Sequence, residues 1–229
     1  MTKLRGDLSN VRETNVHLGA SEFVEDLIRM RCLQEISGEE IVSEYGSEIQ
    51  SKFVPLGYPS SSPVMICARN EEEDLPRTLF SLARGTYPVT PIVINNASTD
   101  RTTEFAQDLG ALVIEEPVPG LINAMLKGYA TFKTWGWQEP ILITDADVYV
   151  VRTWAEEMNK FAYQNLLEGN GGEAFGRNVL SGRNLTLKDV FRTIISLYLD
   201  RKYYNAGLAR AHGSNATIFP VLIQIWLKI

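Results

Sequence analysis

The sequence predicts an α/β fold, a mainly parallel sheet flanked by helices, and three observations predict it. From Pro63 onward, short apolar runs alternate with amphipathic stretches of helical length, the pitch at which each strand is followed by a crossover helix. Proline and glycine punctuate those stretches in the helical sense, with Pro76 in one first turn and Gly85, Gly110 and Gly136 just past three ends. The composition, 229 residues with 45% hydrophobic and 22% charged side chains, supplies one sizeable core and is too apolar for a disordered chain.

The elements follow in order. Residues 1–60 form a helical N-terminal extension with six Lys/Arg against ten Asp/Glu. A helix is predicted over 21–34, with Ser21 as N-cap and Phe23, Leu27, Met30 and Cys32 or Leu33 near one face. Gly38 interrupts, and a second helix covers 39–49 on the stripe Ile41, Val42, Tyr45 and Ile49. The Pro, Gly and Ser residues of 55–63 then make a linker, and residues 61–229 form the main domain. Within it, strands are predicted over 64–68, 92–94, 112–114 and 141–143. Helices are predicted over 74–84, from 98 or 99 to 109, and over 121–135. Two more follow, over 153–167 behind a Thr153/Glu156 capping box and over 186–204. The glycine-rich 169–176 segment, GNGGEAFG, reads as a mobile loop; it follows a helix and lacks the Lys-Ser/Thr of a phosphate loop.

Composition also excludes classes of function. A net charge of −6 argues against a general nucleic-acid binder. No apolar run approaches the roughly 20 residues of a membrane span, and the polar start has no secretory signal. Cys32 and Cys67 form neither a disulfide framework nor a metal knuckle. The expectation is a reduced, cytoplasmic protein.

In open α/β sheets, ligands bind beyond the carboxyl ends of the strands. Here those ends carry the polar clusters: Ala68, Arg69, Asn70 and Glu71 after the first strand, and Asn95 to Asp100 after the second. Thr144, Asp145, Ala146 and Asp147 follow the fourth. Two carboxylates two residues apart at a strand end suit a hard divalent ion, Mg2+ or Mn2+, which keeps positions open for phosphate oxygens. The Asn95 and Asn96 amides could read the edge of a base. Ser98 and Asp100 read equally as an N-cap and an acidic first helical turn. Arg69 offers a phosphate cation or a surface pair with Glu71 to Glu73.

Together these stretches, VMICARNEE at 64–72, 75–88, IVINNASTDRT at 92–102 and ILITDAD at 141–147, resemble the family-2 glycosyltransferases, inverting enzymes of GT-A fold. The resemblance implies a nucleotide-diphosphate sugar donor of UDP or GDP type and a divalent metal. It implies that Asp147 ligates the metal and Asp145 contacts the donor ribose or the metal's water shell. Ala68, Arg69, Asn70 and Glu71 would line the nucleotide pocket, and Asn95, Asn96 and Asp100 would lie at the base and ribose. His212, in the HGSN stretch 212–215, resembles a segment that approaches sugar and acceptor, and is the candidate catalytic residue. The acceptor, whether glycan, lipid or protein, is not indicated.

Three departures from the family pattern stand out. Asn95 and Asn96 replace the usual Asp, although an amide oxygen still accepts a hydrogen bond from a base. The basic residue expected near Met125 is absent, with Lys127 two positions on. The fourteen residues after Asn215 contain no acidic side chain, where the family carries its catalytic base. An incomplete C-terminal end, or a non-catalytic nucleotide-sugar-binding scaffold that keeps the fold, is therefore the alternative expectation. A sugar-nucleotide pyrophosphorylase would open with a glycine-rich loop that 64–70 does not have. The apolar 219–229 stretch could dock on the core or meet a membrane surface. The Lys/Arg-rich 177–212 region could face an anionic ligand or form a solvated helix face.

Overall fold

The computed structural model describes residues 33, 35–167, 173–175 and 216–218. The helix expected over 21–34, apart from Leu33, and the one expected over 186–204 lie outside the described residues, as do His212 and the basic 177–212 region.

The first described helix, α1 (Gly38–Lys52), starts at Ser37, whose Oγ accepts a 3.2 Å hydrogen bond from the Glu40 amide. Glu39 and Glu40 in its first turn and Lys52 in its last complement the helix dipole. Gly38, expected to interrupt, is the first helical residue. A Cβ at this position would lie 2.1 Å from the Glu72 carbonyl oxygen, so only glycine lets the helix start so close to a neighbouring loop.

The repeating units follow as expected: β1 (Ser62–Ala68), α2 (Leu75–Ala83), β2 (Val89–Asn96), α3 (Thr102–Asp108), β3 (Leu112–Glu116), α4 (Leu121–Thr134), β4 (Ile141–Asp145) and α5 (Trp154–Leu167). Pro76 sits in the first turn of α2, while Gly110 and Gly136 follow α3 and α4 with φ of +85° and +66°. Strand β2 begins three residues earlier than predicted, across Thr90 and Pro91. Pairing with β3 starts only at Ile92, so the proline sits where the sheet is not yet complete on that side. Helix α3 starts later than predicted because 97–101 is a turn.

Strands β1 to β4 are parallel in the order β3-β2-β1-β4, the order of a nucleotide-binding α/β half. Two short strands extend the sheet beyond β4: β6 (Ala216–Ile218) runs antiparallel to β4, and β5 (Glu173–Phe175) antiparallel to β6. The reading of 169–176 as a loop is corrected here for Glu173–Phe175, which form β5. Three-residue strands carry too little periodicity to be seen in sequence, and pairing with β6 alone creates this one.

The period of two along the strands sorts side chains onto two faces. Val64, Ile66, Val93 and Leu142 pack with Leu75, Leu79 and Leu82 of α2, Ala106 of α3, Met158 of α5, and Ile41 and Ile49 of α1. Met65, Ile92, Ile94, Ile141 and Ile143 pack with Ala124, Tyr129 and Phe132 of α4. Each fully buried Leu, Ile or Phe contributes about 1.5–3 kcal/mol, so both faces hold the sheet rigid beneath its carboxyl edge. Among the described residues, no helix is long and apolar enough to cross a membrane.

Candidate functional site

Parallel registry brings the strand ends into one row. Asn95 stands opposite Ala68 on one side and Glu115 on the other, Asn96 opposite Glu116, and Asp145 opposite Cys67. The clusters identified in the sequence at 68–71, 95–100 and 144–147, distant along the chain, therefore share one edge.

The loops after β1 and β2 are stitched to each other. The Asn70 amide donates to Ser98 Oγ at 3.0 Å and the Glu71 amide to Thr102 Oγ1 at 2.8 Å. In the same seam, the Glu72 amide donates to Asp100 Oδ2 at 3.1 Å. In return, the Thr99 amide donates to Asn70 Oδ1 at 2.8 Å and the Arg101 amide to Glu72 Oε2 at 2.9 Å. Asn70 and Ala97 each adopt φ of +55°, a left-handed conformation that is ordinary for asparagine and strained for alanine. Asp100 also accepts from the Thr102 amide and hydroxyl. Its partial burial pushes its carboxyl up, but bonds from the Thr102 hydroxyl and from the Thr102 and Glu72 amides outweigh this and hold it below its usual value of 3.8. The expected N-cap at Ser98 and acidic first turn at Asp100 are corrected here: α3 starts at Thr102 with Arg101 as its N-cap, and Asp100 fastens the Thr102 amide from the turn before the helix.

Asn95 and Asn96 are 4% and 3% exposed, and both ends of each amide have partners inside the protein. Asn95 Nδ2 donates to Glu115 Oε2 at 2.7 Å, and its Oδ1 accepts from the Ser98 amide at 3.3 Å. Asn96 Nδ2 donates to the Val118 carbonyl at 2.7 Å, and its Oδ1 accepts from the Gly120 amide at 2.6 Å. These amides hold Glu115 and the 116–120 loop in place. Contact with a base would use the second lone pair of an amide oxygen or compete with these bonds.

Arg69 and Asn70 are exposed, Glu71 and Asp145 are half-buried, and Asp147 is exposed. Glu71 is pushed up to about 7, first by burial and then by the negative charges of Asp147, Asp74, Asp100 and Asp145. Burial first, and then Asp145, push the Cys67 thiol up to about 12. Negative potential thus accumulates where the first and fourth strands end. Among the described residues, no three His, Cys, Asp or Glu side chains gather to hold a metal ion by themselves. One or two carboxylates completed by phosphate oxygens and water are the usual Mg2+ set, and Asp145 with Asp147 fits that set.

Sequence reasoning missed two residues beneath this site. Thr78 and Ser81 of α2, each 1% exposed, contact the turn that follows β4. Thr78 Oγ1 donates to the Ala146 carbonyl at 2.6 Å and accepts from the Val148 amide at 3.2 Å. Ser81 Oγ accepts from the Val150 amide at 3.1 Å and donates to the Thr78 carbonyl at 2.7 Å. The available signal was two hydroxyls within the apolar stripe of Leu75, Leu79 and Leu82. The N-terminal segment also reaches the site. Arg77 donates to the carbonyls of Leu33 and Ile36 at 3.0 and 2.6 Å, and Glu73 Oε2 accepts from the Gly38 amide at 3.1 Å.

A family model described as glycosyl transferase family 2 matches residues 64–224. The chain is similar to the 4,4'-diaponeurosporenoate glycosyltransferase of Staphylococcus haemolyticus, 36% identical over 91 residues, covering 38% of this chain and 24% of the relative. The Staphylococcus aureus protein of that name is 33% identical over 127 residues, covering 55% and 33%. The chain thus spans a third or less of the length of these relatives. Among solved structures, glucosyl-3-phosphoglycerate synthase from Mycobacterium tuberculosis in complex with Mn2+ and UDP-glucose aligns with a TM-score of 0.47 and 20% identity. That alignment covers 77% of this chain and 61% of the other. S. aureus TarS in complex with UDP-GlcNAc aligns with a TM-score of 0.41 and 20% identity, covering 55% and 37%.

Proposed function

Because the chain belongs to glycosyl transferase family 2, we propose that it is a glycosyltransferase. It binds a nucleotide-diphosphate sugar of UDP or GDP type along the row of strand ends and transfers the sugar to an acceptor hydroxyl with inversion. In this reading residues 61–229 form the donor-binding domain, and the extension before them braces it through α1. The chemistry runs on the cytoplasmic side, as the two cysteines suggest.

The observation that carries the proposal is the convergence of the β1 and β4 ends. Asp145 pairs with Cys67 beside the loop that bears Arg69, Asn70 and Glu71. Asp147 and Asp145 would hold Mg2+ or Mn2+, which when bound neutralises the diphosphate and makes it a better leaving group. Arg69 is exposed, and among the described residues its side chain has no hydrogen bond or ion pair. It would place a cation against the same diphosphate. The backbone of 68–71, fixed by its seam to the second loop, would line the nucleotide pocket, with Asn95 and Asn96 keeping its far wall in position. Rigid positioning of this kind lowers the barrier by holding donor and acceptor in reacting geometry.

A thermal-shift panel with UDP, GDP, ADP and dTDP, each with and without Mn2+, tests the proposal. A ligand at about 100 times its dissociation constant stabilises by about 2.7 kcal/mol, an easily measured effect. The expected result is a Mn2+-dependent shift that selects one nucleotide and disappears in Asp147→Ala. No shift with any nucleotide, or an unchanged shift in Asp147→Ala, would sink the donor-site assignment.

A further inference from the structure

We infer that Thr78 is a positioning residue for Asp147, setting the metal affinity of the site from within the core. The inference rests on the proposed role of Asp147 as a metal ligand. Asp147 is exposed and sits on a turn, which by itself leaves a carboxylate free to wander. Its two flanking peptide groups are both tied down. The carbonyl before it, that of Ala146, and the amide after it, that of Val148, both bond to the single hydroxyl of Thr78, at 2.6 and 3.2 Å. One oxygen therefore acts as donor and acceptor to the two peptide units that bracket Asp147, fixing the rotation of the backbone that carries its carboxylate.

Thr78 is itself well anchored. It is 1% exposed, it lies on α2 between the buried Leu75 and Leu79, and its carbonyl accepts the Ser81 hydroxyl. Ser81 repeats the device one helical turn later but fastens Val150, three residues past Asp147. The two hydroxyls thus divide the work: Thr78 orients the proposed ligand, and Ser81 secures the exit of the turn. Outer groups that orient metal ligands typically change metal affinity by about 10–100-fold when removed.

The test is a Mn2+ titration followed by electron paramagnetic resonance, with and without UDP, on the full chain and four variants. Alongside it, amide hydrogen exchange at Val148 reports the turn without any metal. Thr78→Val keeps the shape and removes the hydroxyl; it should weaken Mn2+ binding by about tenfold or more and speed Val148 exchange. Thr78→Ser keeps the hydroxyl and should restore both. Ser81→Ala should lower the melting temperature without moving Mn2+ affinity. Asp147→Ala is the control for the site. If it binds Mn2+ as the parent does, or the parent binds none, the proposed ligand role falls. If Asp147→Ala loses Mn2+ while Thr78→Val binds it normally, or Ser81→Ala weakens it equally, the positioning role is overturned.

Discussion

The two halves of the candidate site are made firm in different ways. The loops after β1 and β2 hold each other: six bonds run between 70–72 and 98–102, five of them from backbone amides, and they tolerate left-handed Asn70 and Ala97. The turn after β4 is fastened downward, to two buried hydroxyls on α2. In the proposed reading, a polar seam at the surface suits a wall that meets a whole nucleotide, and a core anchor suits a single carboxylate whose direction matters. The seam has a further support, because α1 presses its first residue against Glu72 and Arg77 ties the preceding chain to the same loop.

That difference can be broken from the outside. Gly38→Ala would place a methyl group 2.1 Å from the Glu72 carbonyl oxygen, so α1 or the 71–73 backbone has to shift. The expected cost is about 3 kcal/mol, read as a lowered urea midpoint. It should be accompanied by faster amide exchange at Glu71 and Glu72 and unchanged exchange at Val148. Equal loosening of both halves would show that they form one unit.

A smaller effect is expected inside the seam. Asp100→Ala removes the acceptor for the Glu72 and Thr102 amides and should cost about 1 kcal/mol at neutral pH. The sign of its pH dependence follows from the lowered carboxyl. Asp100 stabilises the fold above its unfolded value near 3.8, and this contribution disappears as pH falls through the still lower folded value. Urea midpoints of parent and variant should therefore differ at pH 7 and 5 and converge in strong acid. A gap that persists there would mean that the carboxylate charge is not what fastens the turn.

The smallest expected effect has the opposite sign. Ala97→Gly relieves an alanine held at φ of +55° and should raise stability by about 0.5 kcal/mol after the entropy cost of glycine. Calorimetry would detect a loss instead if the alanine methyl packs usefully.

Much of the fold was legible because it depends on local patterns. Alternation of apolar runs with helical stretches, Pro76, Gly110 and Gly136 placed four parallel strands and their helices, and the polar strand ends marked the edge. Strands β5 and β6 were invisible, since three residues carry no readable period. Gly38 misled: a glycine at a helix start looks like an interruption until the neighbouring Glu72 carbonyl is known. Asn95 and Asn96 end β2, but their engagement by Glu115, Ser98, Val118 and Gly120 could not be read from type and position.

By itself, then, the sequence determined the fold class, the edge at which polar residues gather and the family to which 64–224 belongs. These depend on periodicity, chain punctuation and residue type, all of which are local. Only the tertiary structure decided which polar groups face outward and which are consumed within the protein, and that Thr78 lies beneath Asp147. A hydrogen bond is made or lost within a few tenths of an ångström, and the partners of Thr78 lie 68 and 70 residues further along the chain.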